Sequence, residues 1–301
     1  MSTSVNNAFI TQYERDVHDV FQLNGSRMKP SVRFKSGVNG SSTTFQKIGK
    51  GTATTKARHG TITPMNQTHT AISCTLSDFY AGDWVDKLDE AKINIDERMA
   101  IARGGAMALG RKVDSQIFTT LDSTSQSAVS ITVSSFAAVK NGLVQMVGDT
   151  IRLDSYEPGR MYGVLSPVGW ERAMSIDSFA RAEYVGPEGM EFTKGAPTGA
   201  PRFKDWMGVK WMVHSANPGV GTATSKIFVW NQDAVGYAAG DVPANLAGTM
   251  SGESSVGADI TWHGDRAAWF INHAMSGGSA MIDDTGVIEG NMDDTAALAT
   301  S

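Results

Sequence analysis

The side chains able to do chemistry in this chain are present but not spaced for it. Gly49-Lys50-Gly51-Thr52 has the glycines and lysine of a phosphate-binding loop, yet the first glycine is missing at its required spacing and no apolar strand precedes it. His18, His59, His69, His214, His263 and His273 show no metal-ligand spacing and read as ordinary surface or strand residues. Neither Ser166 nor Ser251 stands in a Gly-x-Ser-x-Gly elbow. The pairs Asp283-Asp284 and Asp293-Asp294 offer oxygens to a hard cation but read more simply as solvated acids near the chain end. The single cysteine, Cys74, excludes an intrachain disulfide and a cysteine-cluster metal site, and its alternating context suits a small buried hydrophobe. The expectation is no enzyme: no catalytic residue, no cofactor and no metal.

Charge is the strongest signal. Between Val20 and Ser77 the chain runs 58 residues without an acid while carrying Arg27, Lys29, Arg33, Lys35, Lys47, Lys50, Lys56 and Arg58, whereas residues 78 to 301 hold 17 basic and 28 acidic side chains. Apolar residues in the basic segment are too few to close a core of their own, so the segment is either disordered or ordered by a partner surface. Nucleic acid is one such partner, but between Arg27 and Arg58, where the charges lie, Phe34 and Phe45 are the only aromatic platforms, and the body behind them is acidic. Another copy of the chain fits better. Asp78, Asp83, Asp86, Asp89, Glu90, Asp96 and Glu97 crowd residues 78 to 97 against Lys87 and Lys92 alone. The expected inter-subunit contact sets Lys47, Lys50, Lys56 and Arg58 of one copy against Asp83, Asp86, Asp89 and Glu90 of the next, a heterologous pairing that closes into rings or shells.

These residues must be positioned by elements with readable periods. Thr70, Ile72, Cys74 and Leu76 alternate as in a half-buried strand, and Ser42 to Ile48 is the expected antiparallel mate. From Trp84 to Leu121 apolar residues recur at spacings of three and four, predicting one helix of ~57 Å capped by Asp83, in which Gly104, Gly105 and Gly110 permit a bend or close packing. A second helix with Phe136, Val139, Leu143 and Val147 on one face is expected after Ser134. A strand at Met161 to Leu165 ends on Ser166-Pro167, a cap followed by proline in a first helical turn. Tyr184 to Lys204 reads as a surface loop and Met207 to Val213 as a strand. Ile227 to Trp230, apolar throughout, reads as a central strand. Gly240 to Gly257 reads as a connection, Ala267 to Ile271 and Ala280 to Ile288 as the last strands, and the acidic tail as frayed.

At 301 residues, 41% hydrophobic and 19% charged, the chain can bury one large or two moderate cores. No apolar run approaches the ~20 residues of a membrane helix and the N-terminus has no signal pattern, so folding in a cytoplasm, with no membrane partner, is expected. The Asn-x-Ser/Thr triplets at Asn24, Asn39 and Asn66 read as turn and strand residues.

An arm, a basic hairpin, a long helix and an α/β body whose last strands return to that helix: this order resembles the major capsid protein of tailed bacteriophages, the Hong Kong 97-type fold. Local sequence agrees. MYGVLSPVGWERAM looks like the strand-Ser-Pro-helix element of that family's A-domain, KIFVWNQDAVGYAAGD like its late A-domain strand, and TWHGDRAAWFINHAMSGGSAMIDDTGVI like its closing P-domain strands. The Gly-Ala-x-Ile/Val type of closing pattern here reads Gly278-Ser279-Ala280-Met281-Ile282 before Gly286-Val287, a looser match.

The resemblance implies an α+β Hong Kong 97-like capsid fold: N-terminal arm at 1–30, extended β-hairpin (E-loop) at 31–80, P-domain with spine helix at 81–125, mixed α/β A-domain at 126–257, and a return to the P-domain with the tail at 258–301. It implies self-assembly as pentamers and hexamers into an icosahedral head that encloses double-stranded DNA without sequence-specific binding, formed in the host cytoplasm and ending in the virion. The implied partners are other copies of the chain, a separate scaffolding protein or a cleaved precursor segment in its place, a portal and a decoration protein. An encapsulin-type compartment and a basic-armed nucleic-acid-binding protein are the alternatives.

Overall fold

A computed structural model gives the structure over residues 26–88, 97–176, 179, 203–241 and 256–297, with backbone alone at 97–100, 102 and 256–258. In chain order the elements are β1 (Arg33–Val38), β2 (Ser42–Ile48), β3 (His69–Thr75), β4 (Ser77–Asp86), α1 (Glu97–Leu121), β5 (Val129–Ile131), α2 (Phe136–Arg152), β6 (Met161–Leu165), α3 (Pro167–Met174), β7 (Lys204–Trp206), β8 (Val209–Val213), β9 (Ser225–Asn231), β10 (Val235–Gly240), β11 (Val256–His263), β12 (Ala268–Met281) and β13 (Val287–Met292). They fall into two compact units, one holding Asp78–Lys112 and Gly240–Ser276, the other Arg27–Ser77, Val113–Ala239 and Gly277–Ser301.

The larger unit centres on a six-stranded sheet in the order β5-β13-β9-β6-β8-β7. Successive side chains of a strand point to opposite faces, and here both faces are covered. Ile227 and Val229 of β9 join Val139, Leu143, Met146 and Val147 of α2 on one face, while Phe228 and Trp230 join Ile117, Phe118 and Leu121 of α1 on the other. That is why Ile227 to Trp230 of β9 is apolar throughout, as expected of a central strand. Gly163 of β6 sits opposite Trp211 of β8, where an added Cβ would lie 2.6 Å from the indole.

Local signals hold at most element ends. Ser166 accepts the Gly169 amide at 2.9 Å ahead of Pro167. The cap of α2 is Ser135 rather than Ser134, its hydroxyl accepting from the Ala138 amide. Met207 and Gly208, at φ 54° and 71°, turn β7 into β8, so the run read as one strand from Met207 starts with a tight turn. The tail is not frayed as far as residue 297: Arg172 donates to the Asp293 and Ala296 carbonyls at 2.6 Å each, and Asp294 accepts from Ser166 and the Gly221 amide.

Arg27 to Val32, which spans the expected boundary between N-terminal arm and hairpin, is docked in this unit. Met28 and Val32 are buried among Ile117, Phe118 and Trp230. Asp114 of α1 accepts the Met28 amide on Oδ1 and the Arg27 amide on Oδ2, both at 3.1 Å, and Trp230 Nε1 donates to the Ser31 carbonyl.

In the smaller unit β11 and β12 form an antiparallel pair, Ile260 opposite Ile271 and Trp262 opposite Trp269, and β4 pairs with β12. This corrects the start of the long helix. Trp84 lies on β4, its ring 4.6 Å from Phe270 and beneath Arg266, because cross-strand packing with β12 outweighs the local helical period. Asp83 caps no helix; its Oδ1 accepts the amide of Trp84, and Asp86 accepts that of Leu88, in helical backbone that begins at Lys87. Ala91 and Ile95 of the expected stripe lie outside the described residues, and α1 as described measures about 37 Å. Gly105 gives room to His273, whose Nδ1 would lie 2.5 Å from an added Cβ, so close packing accounts for this helix glycine.

Two connections also differ. Where strands are expected at Ala267 to Ile271 and Ala280 to Ile288, β12 instead runs unbroken from Ala268 to Met281, and the last strand starts only at Val287. β10 reaches Gly240 and β11 starts at Val256; the rest of the Gly240–Gly257 stretch, from 242 to 255, and most of the Tyr184–Lys204 loop lie outside the described residues.

Candidate assembly interface

The basic segment is a hairpin with a packed root and a bare outer half. β2 and β3 pair antiparallel from Ser42 opposite Thr75 to Ile48 opposite His69, the mating that the alternation predicts. At the root, Val38, Phe45, Cys74 and Leu76 are buried with Ala238 and Ile282. The few apolar residues of the segment therefore do close a core, by borrowing partners from β10 and the turn before β13. Cys74 is 1% exposed, and burial, set against a hydrogen bond with the Ala238 backbone, pushes its thiol up, which suits an inert packing role.

Beyond Ile48 the two legs stay together. The Gly49 amide donates to the Thr68 carbonyl at 2.7 Å, Thr54 Oγ1 donates to the Thr63 carbonyl, and the tip closes at Ala57–Gly60 with His59 at φ 68°. All residues from 51 to 59 and from 61 to 71 are exposed, among them Ile62 at 75% and Met65 at 49%. Ten residues from Ile48 to Arg58 reach roughly 30 Å if extended. An arm of this length with unburied apolar side chains and no core beneath it is built to meet something else.

The structure divides the expected contact residues. Lys47 Nζ is 2.8 Å from Asp283 Oδ1 and Lys50 Nζ is 2.9 Å from Asp154 Oδ2, both carboxylates of the same chain. Lys56 and Arg58 stand at the tip with no ion pair among the described residues. Asp83 and Asp86 are exposed on β4, while Asp89 and Glu90 lie outside the described residues. Asp154 and Asp283 were missed as lysine partners. A local signal existed for one of them: Phe45 and Lys47 share a strand face, so anchoring Phe45 at Ile282 brings Lys47 to the next residue, Asp283.

Burial pushes the Asp283 carboxyl up, but hydrogen bonds from Lys47 and Thr285 outweigh it and hold the group below its ordinary range. Asp284 is likewise raised by burial and lowered further by Ser125, Gln126 and Thr124, ending at about 2. The pairs Asp283-Asp284 and Asp293-Asp294 are thus engaged by protein donors, and no cluster of metal-ligating side chains occurs among the described residues. The arrangement offers contact surfaces.

This fold of mixed α/β content is similar to that of solved phage capsid proteins. The capsid of cyanophage P-SCSP1u superposes with a TM-score of 0.65 at 14% identity, covering 97% of this chain and 95% of that one. Mycobacterium phage Che8 gives 0.65 at 12% identity over 97% and 99%, and the capsid of a native GTA particle 0.66 at 11% over 97% of both chains. No curated protein matches the chain in sequence. The chain belongs to the phage capsid protein family, whose model matches residues 5–154 and 164–294. It is a structural protein of a phage capsid, of a family that is generally non-enzymatic.

Proposed function

We propose that the chain is the major capsid protein of a tailed phage with a Hong Kong 97-like subunit, assembling as pentamers and hexamers into an icosahedral head around double-stranded DNA. The observation that carries this reading is the arm, whose outer half is exposed over about 20 residues while its root is packed. On this reading residues 31–80 are the E-loop laid across a neighbouring copy, 81–125 the P-domain with the spine helix, 126–257 the A-domain, and 258–301 the return to the P-domain with the tail. Lys56 and Arg58 meet the Asp83 and Asp86 carboxylates of that neighbour, with Asp89 and Glu90 adjoining in sequence. Exposed pairs contribute only ~0.2 to 1 kcal/mol each, so the contact gains its weight by repetition around the shell. The acidic remainder of the chain suits an inner wall that does not grip packaged DNA.

A separate scaffolding protein, a portal and a decoration protein complete the particle, which forms in the host cytoplasm and ends in the virion. Electron microscopy of the purified protein and of the particles formed in its host tests this: closed shells with hexameric and pentameric capsomers, filled with DNA, are the expected images. Dispersed protein–DNA complexes, or shells filled with an enzyme, would refute it.

A further inference from the structure

Lys47 and Lys50 reach back over a cavity of about 450 Å³ in the larger unit. Four carboxylates line it: Asp154, Glu157, Asp233 and Asp283. Arg160 holds two of them, Asp233 at 2.7 Å and Glu157 at 3.5 Å. The other two take their cations from the arm.

We propose that Lys47–Asp283 and Lys50–Asp154 form a latch in cis, a two-point catch that fixes the direction in which the outer arm leaves its own chain and that lets go when the arm is drawn onto a second copy. The second half of this statement rests on the assembly reading above; the first does not.

A two-stranded ribbon twists easily, and the apolar root around Phe45 holds this one near a single place. Lys47 lies two residues further out on the same strand, and Lys50 three residues beyond it, just past Gly49. Two ion pairs at successive distances from the root therefore set the ribbon's angle where packing alone leaves it free. They are graded. The inner pair is about one third exposed, the outer about three quarters, so salt screens the outer one first. Beyond Lys50 no ion pair ties the arm to its own chain among the described residues, and the tip cations remain available.

The test uses the full-length, unassembled protein with spin labels at Thr61→Cys on the outer arm and Gln145→Cys on the exposed side of α2, Cys74 being sealed from the reagent. Dipolar spectroscopy reads the distance distribution between them. In about 20 mM salt the distribution is expected to be narrow; in about 1 M salt, where the screening length is about 3 Å, it broadens. Lys47→Gln with Lys50→Gln broadens it at low salt, and the charge swap Lys50→Asp with Asp154→Lys narrows it again. A distribution already broad at low salt, or one unmoved by the double variant, would overturn the latch. Sedimentation of the same variants under assembly conditions reads shell formation separately. A chain that keeps the salt-dependent distribution yet never forms shells would refute the capsid reading and leave the cis latch intact.

Discussion

His214 Nε2 stands 3.0 Å from Asp114 Oδ2, with neither side chain more than 1% exposed. The Ala216 amide donates to the other ring nitrogen, so Nε2 carries the proton and donates to the carboxylate. The same carboxylate receives the amides of Arg27 and Met28. One buried acid thus joins α1, the end of β8 and the backbone at Arg27 and Met28. Asp114→Ala would leave two buried donors, the Met28 amide and His214 Nε2, without this acceptor, at about 1 to 3 kcal/mol each, and a half-buried third at Arg27, and is expected to lower unfolding stability by about 2 kcal/mol or more. Denaturant unfolding of Asp114→Ala beside Asp114→Asn measures it, the asparagine retaining one acceptor and part of the stability.

Gly236 on β10 lies under the hairpin root, where an added Cβ would meet the Phe45 ring at 2.7 Å. Gly236→Ala is expected to cost about 1 to 3 kcal/mol by overpacking. Because Phe45 holds the root, the loss should appear as faster trypsin cleavage after Lys47, which is only about one third exposed in the folded chain. Unchanged cleavage at that site would show that the ring does not anchor the arm.

Asp284 makes part of the stability pH-dependent. Its carboxyl lies at about 2 in the folded chain against an ordinary 3.8, held there by Ser125, Gln126 and Thr124 in spite of burial. A lowered folded value means that the contribution is complete above the unfolded value and disappears as pH falls through the folded one. Thermal unfolding of the unassembled protein should therefore lose stability between about pH 4 and pH 2, and Asp284→Asn should flatten that part of the curve.

The arm's tip supplies a further check. Trypsin should cut the free subunit first after Lys56 and Arg58, which lie in the fully exposed stretch, and assembly should protect both sites. Lys56→Glu with Arg58→Glu should raise the protein concentration needed for assembly while leaving the helix content of the subunit unchanged by circular dichroism. Normal assembly of that variant would remove the electrostatic part of the proposed contact.

Sequence alone carried the pieces whose cause is local. The β2–β3 mating follows from a period of two, the Ser166-Pro167 start of α3 from a side-chain cap and a fixed φ, and the central place of β9 from an unbroken apolar run. The order of these pieces was enough for the resemblance to tailed-phage capsid proteins, with which the family match agrees.

What the tertiary structure decided depends on residues far apart in the chain. Trp84 fits a helical stripe by spacing, and only the presence of β12 makes it a strand residue. Gly277 and Gly278 look like a break, yet a Cβ on either would run into Tyr237 or the Thr75 carbonyl, so they permit the close approach of strands that continue past them. Lys50 and Asp154 are 104 residues apart, and nothing in either neighbourhood announces the other. A hydrophobic period fixes which face of an element turns inward, but which element waits there, and which carboxylate a lysine then reaches, is settled by register and packing across the whole fold.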